Sequence, residues 1–201
     1  MSTLLFFILA IISITLHEFS HGIVAYRLGD PTAKEAGRLT FNPLAHIDLF
    51  GTILLPILLN TIIHVPFGYA KPVPINPYYF KNPRRDIMLV GAAGPLSNIA
   101  AAVILSLIVK VLPVSTFSTV LVWAIVTNVI LAVFNLIPIP PLDGSKVIAA
   151  LLPARIYHNY LKLQIYGIIL ILALSLTGKL EKIINPVINI TLNALGFGQI
   201  S

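Results

Sequence analysis

Long apolar runs separated by short polar stretches dominate this sequence. Four of them, at about 3–26, 87–112, 117–137 and 161–176, fit a helix that crosses a bilayer, which needs roughly 20 apolar residues. Residues 1–15 contain no Lys or Arg, and polar residues follow directly, so the first run does not resemble a cleaved signal peptide. The pattern therefore predicts four membrane-spanning helices.

A fifth run, at 50–65, is shorter and is interrupted by Pro56, Asn60 and Thr61. It either spans the bilayer with strain, re-enters it or lies along its surface. Basic residues bear on this choice, because cytoplasmic loops collect Lys and Arg. They precede and follow the run, as Arg27, Lys34, Arg38, Lys71, Lys81, Arg84 and Arg85. If both loops are cytoplasmic, the run enters and leaves on one face, which favours re-entry.

The stretch from 37 to 76 alternates apolar and polar residues and is rich in Pro and Asn, as short strands and turns are. We therefore predict an all-α polytopic membrane protein with about four to six membrane helices and a small membrane-associated β element. We expect one domain over residues 1–201, with a core at about 3–150 and C-terminal helices at 151–201. The tail at 183–195 follows basic residues and is a candidate interfacial helix.

Composition agrees with a lipid environment. Of the 201 residues, 57% are hydrophobic and 10% are charged, whereas a soluble domain has roughly 25% charged residues. The formal net charge is +6, but the basic residues lie in short loops between apolar runs, so nucleic-acid binding is not expected. The sequence has no cysteine, so any metal ion must be bound by His, Asp or Glu.

The chemistry is concentrated in His17-Glu18-Phe19-Ser20-His21, an HExxH motif inside the first apolar run. On a helix, residues 17 and 21 share one face, so both imidazoles can bind one ion while Glu18 flanks the attacking water. A central charge in a span costs about 2.5–3.5 kcal/mol, so such groups usually pair, coordinate an ion or line a wet cavity. The motif therefore predicts a zinc site rather than a solvated polar face.

Catalytic zinc usually has three protein ligands and an open fourth position, so a third ligand must come from elsewhere. The candidates are His46, His64, His158, Asp30, Glu35, Asp48, Asp86, Asp143 and Glu181. Asp143 is favoured because it follows a proline-rich break in an apolar helix, and broken membrane helices usually line a cavity. Asp48 is the rival and His46 a weaker alternative, although a turn or cap is the ordinary role of Asp there.

Taken with the segment from Asn135 to Gly144, Asn-Leu-Ile-Pro-Ile-Pro-Pro-Leu-Asp-Gly, the HExxH motif resembles the site-2 protease family of intramembrane zinc metalloproteases. Residues 91–98 are similar to the glycine-rich start of that family's middle core helix, and residues 38–48 to the segment after its first helix. The absence of an inserted PDZ domain is typical of the compact prokaryotic type. The resemblance covers most of residues 10 to 150.

This resemblance implies one zinc ion per chain, held by His17, His21 and Asp143, with Glu18 as general base and acid. It also implies that Asn135 positions the substrate or its oxyanion, and the alternative role of Asn135 is a cap for the broken helix. Asn98, by contrast, is expected to be a polar residue that helps helices to pack.

The function predicted is hydrolysis of peptide bonds in membrane-spanning substrates, as in regulated intramembrane proteolysis. We expect a multi-pass protein of the cell membrane whose active site faces the cytoplasmic side and whose partners are transmembrane protein substrates and the lipid bilayer. The loop at 69–76 is expected to present an edge strand to an unwound substrate. Two alternatives are a zinc or proton transporter and a catalytically silent membrane scaffold. The natural substrate and the oligomeric state are not predicted.

Overall fold

The computed structural model describes residues 3–63 and 71–198, and these residues form an all-α fold. The α-helices are α1 Thr3–Arg27, α2 Thr32–Glu35, α3 Leu55–Ile63, α4 Pro83–Val111, α5 Thr116–Asn135, α6 Asp143–Leu151, α7 Ala154–Leu161, α8 Gln164–Leu176 and α9 Lys179–Leu195. Short 3-10 helices occupy Pro43–Ala45 and Pro77–Tyr79, and a π-helical turn at Leu49–Leu54 leads into α3. The predicted all-α class is confirmed.

Three helices are long and apolar enough to cross a membrane: α1 from Leu4 onward, α4 and α5. A fourth crossing is formed if α7 and α8, which are bent by 56° relative to each other, are taken as one span. The described residues thus supply three or four spans, at or just below the lower end of the predicted range. The predicted span at 161–176 corresponds to α8, which has 13 residues and needs α7 to reach across a bilayer.

The run at 50–65 is helical but short. Its described part, 50–63, consists of the last five residues of the π-helical turn Leu49–Leu54 and the nine residues of α3. At about 1.5 Å per residue, these 14 residues reach roughly 21 Å, compared with a hydrocarbon core of about 30 Å. Residues 64–70 lie outside the described residues, so re-entry of this run stays a prediction.

The predicted β element is absent from the described part of the chain, and the reason lies in its backbone donors. Residues 71–76 have no regular secondary structure, and Pro72 and Pro74 have no N–H to give to a neighbouring strand. The N–H groups of Lys71, Val73 and Asn76 donate to other parts of the chain instead. The alternating pattern at 37–76 was therefore wrongly taken to predict short strands, because its described part contains short helices and irregular backbone instead.

Two apolar clusters hold the bundle together. Near the end of α1, Ala25 packs with Phe80 and with Val90 of α4. Further along α4, Ala102 packs with buried residues of α5 and α9, namely Ile125, Val126, Val129, Val133, Ile188 and Leu192. These clusters fix α4 between α1 and α5, so that side chains in the middle of the three helices face one another.

The chain breaks between α5 and α6, at the prolines that the sequence pointed to. Pro138, Pro140 and Pro141 cannot continue the helical hydrogen bonding, so α5 ends at Asn135 and α6 begins at Asp143. The break folds tightly, because a Cβ on Gly144 would lie only 2.1 Å from the carbonyl oxygen of Leu136. Glycine is therefore required at this position, and the turn directs the first residue of α6 into the bundle.

Candidate metal centre

Three side chains that lie far apart in the sequence converge inside the bundle. His17 and His21 project from α1, and Asp143 is the first residue of α6. The Oδ2 atom of Asp143 lies 3.0 Å from Nε2 of His17 and 3.1 Å from Nε2 of His21, and all three residues are buried. Among the residues that the structure describes, no other group of three His, Asp or Glu side chains is close enough to hold a metal ion.

The outer nitrogen of each imidazole is already hydrogen-bonded. His17 Nδ1 lies 2.6 Å from Oδ1 of Asn98, and His21 Nδ1 lies 2.6 Å from the carbonyl oxygen of Val90. Carbonyl oxygens only accept hydrogen bonds, so both Nδ1 atoms carry the proton and donate. Each Nε2 therefore presents a lone pair toward the carboxylate of Asp143, which is the arrangement that metal-binding histidines adopt.

The centre as a whole is a set of acceptors that fits zinc. When both imidazoles are neutral, two Nε2 lone pairs and a carboxylate oxygen face one another, and a cation removes their mutual repulsion. Two histidines and one carboxylate are a known catalytic zinc set with an open fourth position. The separations of 3.0 and 3.1 Å are close to the roughly 3.3 Å between ligand atoms that tetrahedral bonds of about 2.0 Å require.

Asp143 is held on both carboxylate oxygens. Its Oδ1 atom accepts a hydrogen bond from Lys146 Nζ at 2.8 Å, while Oδ2 faces the histidines. Lys146 thus binds the outer oxygen, and Oδ2, which faces the two Nε2 atoms, is left free for a cation.

Helix α4 supplies the space and the support for the histidines. A Cβ on Gly94 would lie 2.5 Å from Nε2 of both His17 and His21, so a larger residue would collide with the ligands. Asn98 follows one turn later on the same face, is fully buried and bonds His17. Asn98 was predicted to be a packing residue, and its hydrogen bond to His17 was not predicted. The four-residue spacing of Gly94 and Asn98 places both on one face of the helix and could have indicated this contact.

A chain of buried amides extends from His17 to α5. Asn98 Nδ2 donates to the carbonyl oxygen of Ser13 at 3.1 Å and to Oδ1 of Asn128 at 2.8 Å. Asn128 Nδ2 in turn donates to the hydroxyl of Ser13 at 3.0 Å. These bonds fix which end of the Asn98 amide faces His17. Asn128 was not singled out from the sequence, although a lone Asn within an apolar span is a recognisable sign of a polar contact.

Glu18 lies next to the ligands without joining them. It is partly buried in the wall of a cavity of about 700 Å³, and its Oε2 atom accepts a hydrogen bond from the N–H of Val73 at 3.0 Å. The cavity also reaches His17, His21 and Asp143. Most of its wall is apolar and includes Phe7, Ile11, Ile14, Phe134, Leu142 and Ile171. The carboxylate of Glu18 thus lies beside the candidate metal ligands in the wall of a cavity that can hold an apolar chain.

Asn135, the predicted substrate-binding residue, is the last residue of α5 and lies in the wall of the same cavity. Its Nδ2 atom donates to the carbonyl oxygen of Leu131 at 2.9 Å, one turn back in the helix. The position of Asn135 is therefore compatible with both predicted roles, because its amide bonds the end of α5 and also borders the cavity. Its part in substrate binding stays a prediction.

The rival ligands lie outside the centre. Asp48 accepts a hydrogen bond from the N–H of Gly51 at 2.6 Å and caps the π-helical turn, which is the ordinary role expected of it. His46 is buried, and its Nε2 atom lies 2.9 Å from the carbonyl oxygen of Thr40. The other described candidates, Asp30, Glu35, Asp86 and Glu181, do not join the cluster. His64 and the side chain of His158 lie outside the described residues.

Comparison with known proteins identifies the family. A family model described as peptidase family M50 matches residues 109–176. A protein of Bacillus subtilis named "Putative zinc metalloprotease YwhC" is 40% identical over 190 residues, which cover 89% of this chain and 83% of that protein. The chain belongs to peptidase family M50, the site-2 protease family. The predicted resemblance and the predicted enzyme class, a zinc metalloendopeptidase, are thereby confirmed.

More distant relatives of this M50 peptidase carry similar names. "Putative zinc metalloprotease Rip2" of Mycolicibacterium smegmatis is 28% identical over 175 residues, which cover 86% of this chain and 66% of that protein. "Zinc metalloprotease MJ0392" of Methanocaldococcus jannaschii is 25% identical over 157 residues, which cover 78% of this chain and 36% of that protein. No solved structure matches the chain. The M50 peptidase is a membrane protein by its apolar helices and its family.

Proposed function

We propose that this M50 peptidase hydrolyses peptide bonds of membrane-spanning substrates inside or at the edge of the bilayer. The proposal depends chiefly on one observation: His17, His21 and Asp143 converge beside Glu18 in the wall of a largely apolar cavity within a bundle of spanning helices. A cavity of this kind suits an apolar chain that has left the bilayer, whereas a soluble polar peptide would lose hydration there.

The residues of the centre have distinct tasks. His17, His21 and Asp143 would hold one zinc ion per chain, which when bound lowers the pKa of water and polarises the scissile carbonyl. Glu18 takes the proton of the attacking water and passes it to the leaving amine, as its position beside the ligands allows. Both imidazoles keep their Nδ1 protons in hydrogen bonds throughout, so their ring orientation does not change during the reaction.

Asn135 is proposed to donate a hydrogen bond to the oxyanion of the tetrahedral intermediate. Its amide nitrogen carries two N–H groups, and the bond to Leu131 uses one of them. The residue borders the cavity at the point where α5 breaks, so the other N–H can reach a bound chain. A donor aimed at a developing charge in a site of low polarity stabilises the transition state more than the ground state.

We place the opening of the site on the cytoplasmic side of the cell membrane. The basic residues that suggest this orientation flank α1 and α4 at their neighbouring ends, and His17 and His21 lie in the half of α1 that leads to Arg27. Cleavage there would release a membrane-tethered segment toward the cytoplasm, as regulated intramembrane proteolysis requires. The substrates would then be transmembrane proteins in contact with the same bilayer.

The segment at 71–76 can contribute to substrate binding mainly through its carbonyl groups. Of its four N–H groups, those of Lys71, Val73 and Asn76 donate within the chain, which leaves at most that of Ile75 for a substrate strand. An edge-strand contact of the usual kind, with alternating donors and acceptors, is therefore not supported by this geometry.

Neither alternative function is favoured by a specific observation. A transporter would need a path with several ion sites on central helices, and the described residues form one metal-binding cluster. A silent scaffold would have no use for a carboxylate aimed at the cavity next to the ligands, yet Glu18 lies there. Peptide hydrolysis uses both features.

The test is cleavage of a panel of single-span model substrates by the purified protein in detergent. Wild-type protein should cleave at least one substrate, chelation should abolish cleavage and added zinc should restore it. Glu18→Gln should bind one zinc ion per chain like the wild type and cleave at least ~100-fold more slowly, because the general base is lost. A folded wild-type protein that binds no zinc, or Glu18→Gln protein that cleaves at the wild-type rate, would contradict the proposal.

A further inference from the structure

The segment at 71–76 lies along the second half of α1 and is attached to the rest of the chain at three points. At one end, Lys71 N–H donates to the carbonyl oxygen of buried His46 at 3.0 Å. At the other end, Asn76 N–H donates to Asp30 Oδ2 at 2.7 Å. Between these attachments, Val73 N–H donates to Glu18 Oε2 at 3.0 Å. The two ends are thus held by structural groups, and the middle is bonded to the carboxylate beside the metal centre.

The sequence Pro72-Val73-Pro74 makes this middle bond specific. Each proline fixes its own φ angle and lacks an N–H, and each restricts the residue before it to extended backbone. Val73 therefore has the single backbone N–H of the tripeptide, and the two prolines restrict the backbone angles that orient this N–H. Its side chain is buried, with Cγ1 at 3.4 Å from the place that a Cβ on Gly22 would occupy. The donor cannot turn away from Glu18 without leaving this packing.

Asp30 anchors the C-terminal end of the segment. It is fully buried, and its Oδ1 atom accepts hydrogen bonds from the N–H and the hydroxyl of Thr32, while Oδ2 accepts from Asn76. A buried side-chain oxygen costs free energy unless it accepts hydrogen bonds, and both oxygens of Asp30 do so. The turn after α1 and the 71–76 segment are thereby tied to one side chain, although Asp30 and Asn76 are 46 residues apart.

From these contacts we infer that the 71–76 segment positions the general base: Val73 N–H fixes the carboxylate of Glu18, and Asp30 fixes the segment. Glu18 has a long side chain on the wall of a cavity, where it could adopt several rotamers. The bond to Oε2 selects one of them and leaves Oε1 to accept the proton of water. Val73 and Asp30 are positioning residues in this account, which rests on the proposed function of Glu18 as the base.

The first test needs no substrate. Hydrogen exchange at the Val73 amide should be at least ~10-fold faster in Glu18→Ala than in the wild type, because the acceptor is gone. In Glu18→Gln, which abolishes the base but keeps an acceptor oxygen, exchange should stay near the wild-type rate. Exchange at the Asn76 amide, bonded to Asp30, should be unchanged in both variants. Equal exchange at Val73 in Glu18→Ala and wild type would overturn the inference whether or not the protein cleaves anything.

The second test separates positioning from folding. Val73→Pro removes the N–H and should lower kcat by about 10- to 100-fold, with KM and bound zinc within about twofold of the wild type. Val73→Ala keeps the N–H and should recover most of that loss. A wild-type kcat in Val73→Pro would overturn the inference and leave the proposed function standing.

Asp30 provides a second variant, distant from the metal, in case Val73→Pro does not fold. In Asp30→Asn, the single amide oxygen should keep the two bonds from Thr32, and the amide nitrogen cannot accept from Asn76 N–H. This variant should lower kcat at unchanged KM, with faster exchange at the Asn76 amide. Thr32→Val is the matched control: it removes the hydroxyl bond to Asp30 and keeps the bond to Asn76, so kcat should stay unchanged. A similar loss of kcat in both variants would show a structural role of the turn alone and overturn the inference.

Discussion

The close approach of α4 to the two histidines allows a sharp test of the metal centre with one added methyl group. In Gly94→Ala, the new Cβ would lie 2.5 Å from Nε2 of His17, 2.5 Å from Nε2 of His21 and 2.6 Å from Cε1 of His17. Carbon and ring atoms in ordinary contact lie about 3.5 Å apart or more, so the rings or the helices must separate by roughly 1 Å. Metal–ligand distances tolerate only about 0.2 Å.

The expected result is loss of zinc affinity by at least about 100-fold, which corresponds to roughly 2.8 kcal/mol. Overpacking adds a destabilisation of about 1–3 kcal/mol, seen as a lower Tm. Helix propensity works in the opposite direction, because Ala favours a helix by about 1 kcal/mol over Gly. A loss of both stability and zinc affinity would therefore be caused by the collision of the new Cβ with the histidine rings, because the higher helix propensity of Ala would stabilise the protein.

The assay is competition for zinc between the purified protein and a chromophoric chelator, together with a thermal melt in detergent. Gly22→Ala is the control, since its Cβ meets only the side-chain ends of Leu39 at 3.3 Å and Val73 at 3.4 Å, besides Ala33 Cβ at 3.5 Å. This variant should bind zinc as the wild type does. Wild-type zinc affinity in Gly94→Ala would refute the geometry, because the two imidazoles could not then occupy the positions seen here.

Two further substitutions probe the supports of the ligands. Asn98→Leu removes the acceptor for His17 Nδ1 and should weaken zinc binding by about 10- to 100-fold in the chelator assay, and undiminished affinity would mean that the amide does not orient the ring. Gly144→Ala places a Cβ 2.1 Å from the carbonyl oxygen of Leu136, so the turn that carries Asp143 must open. We expect a loss of about 1–3 kcal/mol in unfolding free energy and weaker zinc binding, and a wild-type melt with wild-type zinc affinity would speak against this account.

The part of the centre that the sequence revealed is the part encoded within one helix. His17 and His21 share a face because of helical spacing alone, so the pair could be assigned without knowing any tertiary contact. Asp143 is 122 residues away from His21, and no periodicity links the two. It was reached through the proline break before it, which indicated a cavity, and through the resemblance of the whole segment to a known family.

The supports of the ligands could not be read in the same way. Gly94 and Asn98 belong to a helix that is apolar on most of its surface. Its sequence pattern predicts that the helix avoids water, but it does not predict which face packs against α1. Their roles follow from a helix approach of a few ångströms, which depends on the packing of Ala102 against α5 and of Val90 against Ala25. Small residues in a span signal a close contact, but they do not name the partner.

The error at 71–76 has a similar origin. Alternating apolar and polar side chains suggested a strand, but a strand also needs a neighbour with free donors and acceptors. Here the partners of Lys71, Val73 and Asn76 are a carbonyl and two carboxylates from other parts of the chain. The two prolines in the segment already argued against a central strand, and that signal deserved more weight than the alternation.

The way each ligand is held explains why zinc binding should depend on the assembled bundle and not on the HExxH helix alone. His17 is fixed by Asn98 and His21 by the backbone of Val90, both on α4, while Lys146 holds the free oxygen of Asp143. Three atoms that repel one another are thus kept about 3 Å apart by bonds on their far sides. The bundle bears the cost of that arrangement when it folds, so the ion meets a formed site and little binding energy is lost to reorganisation.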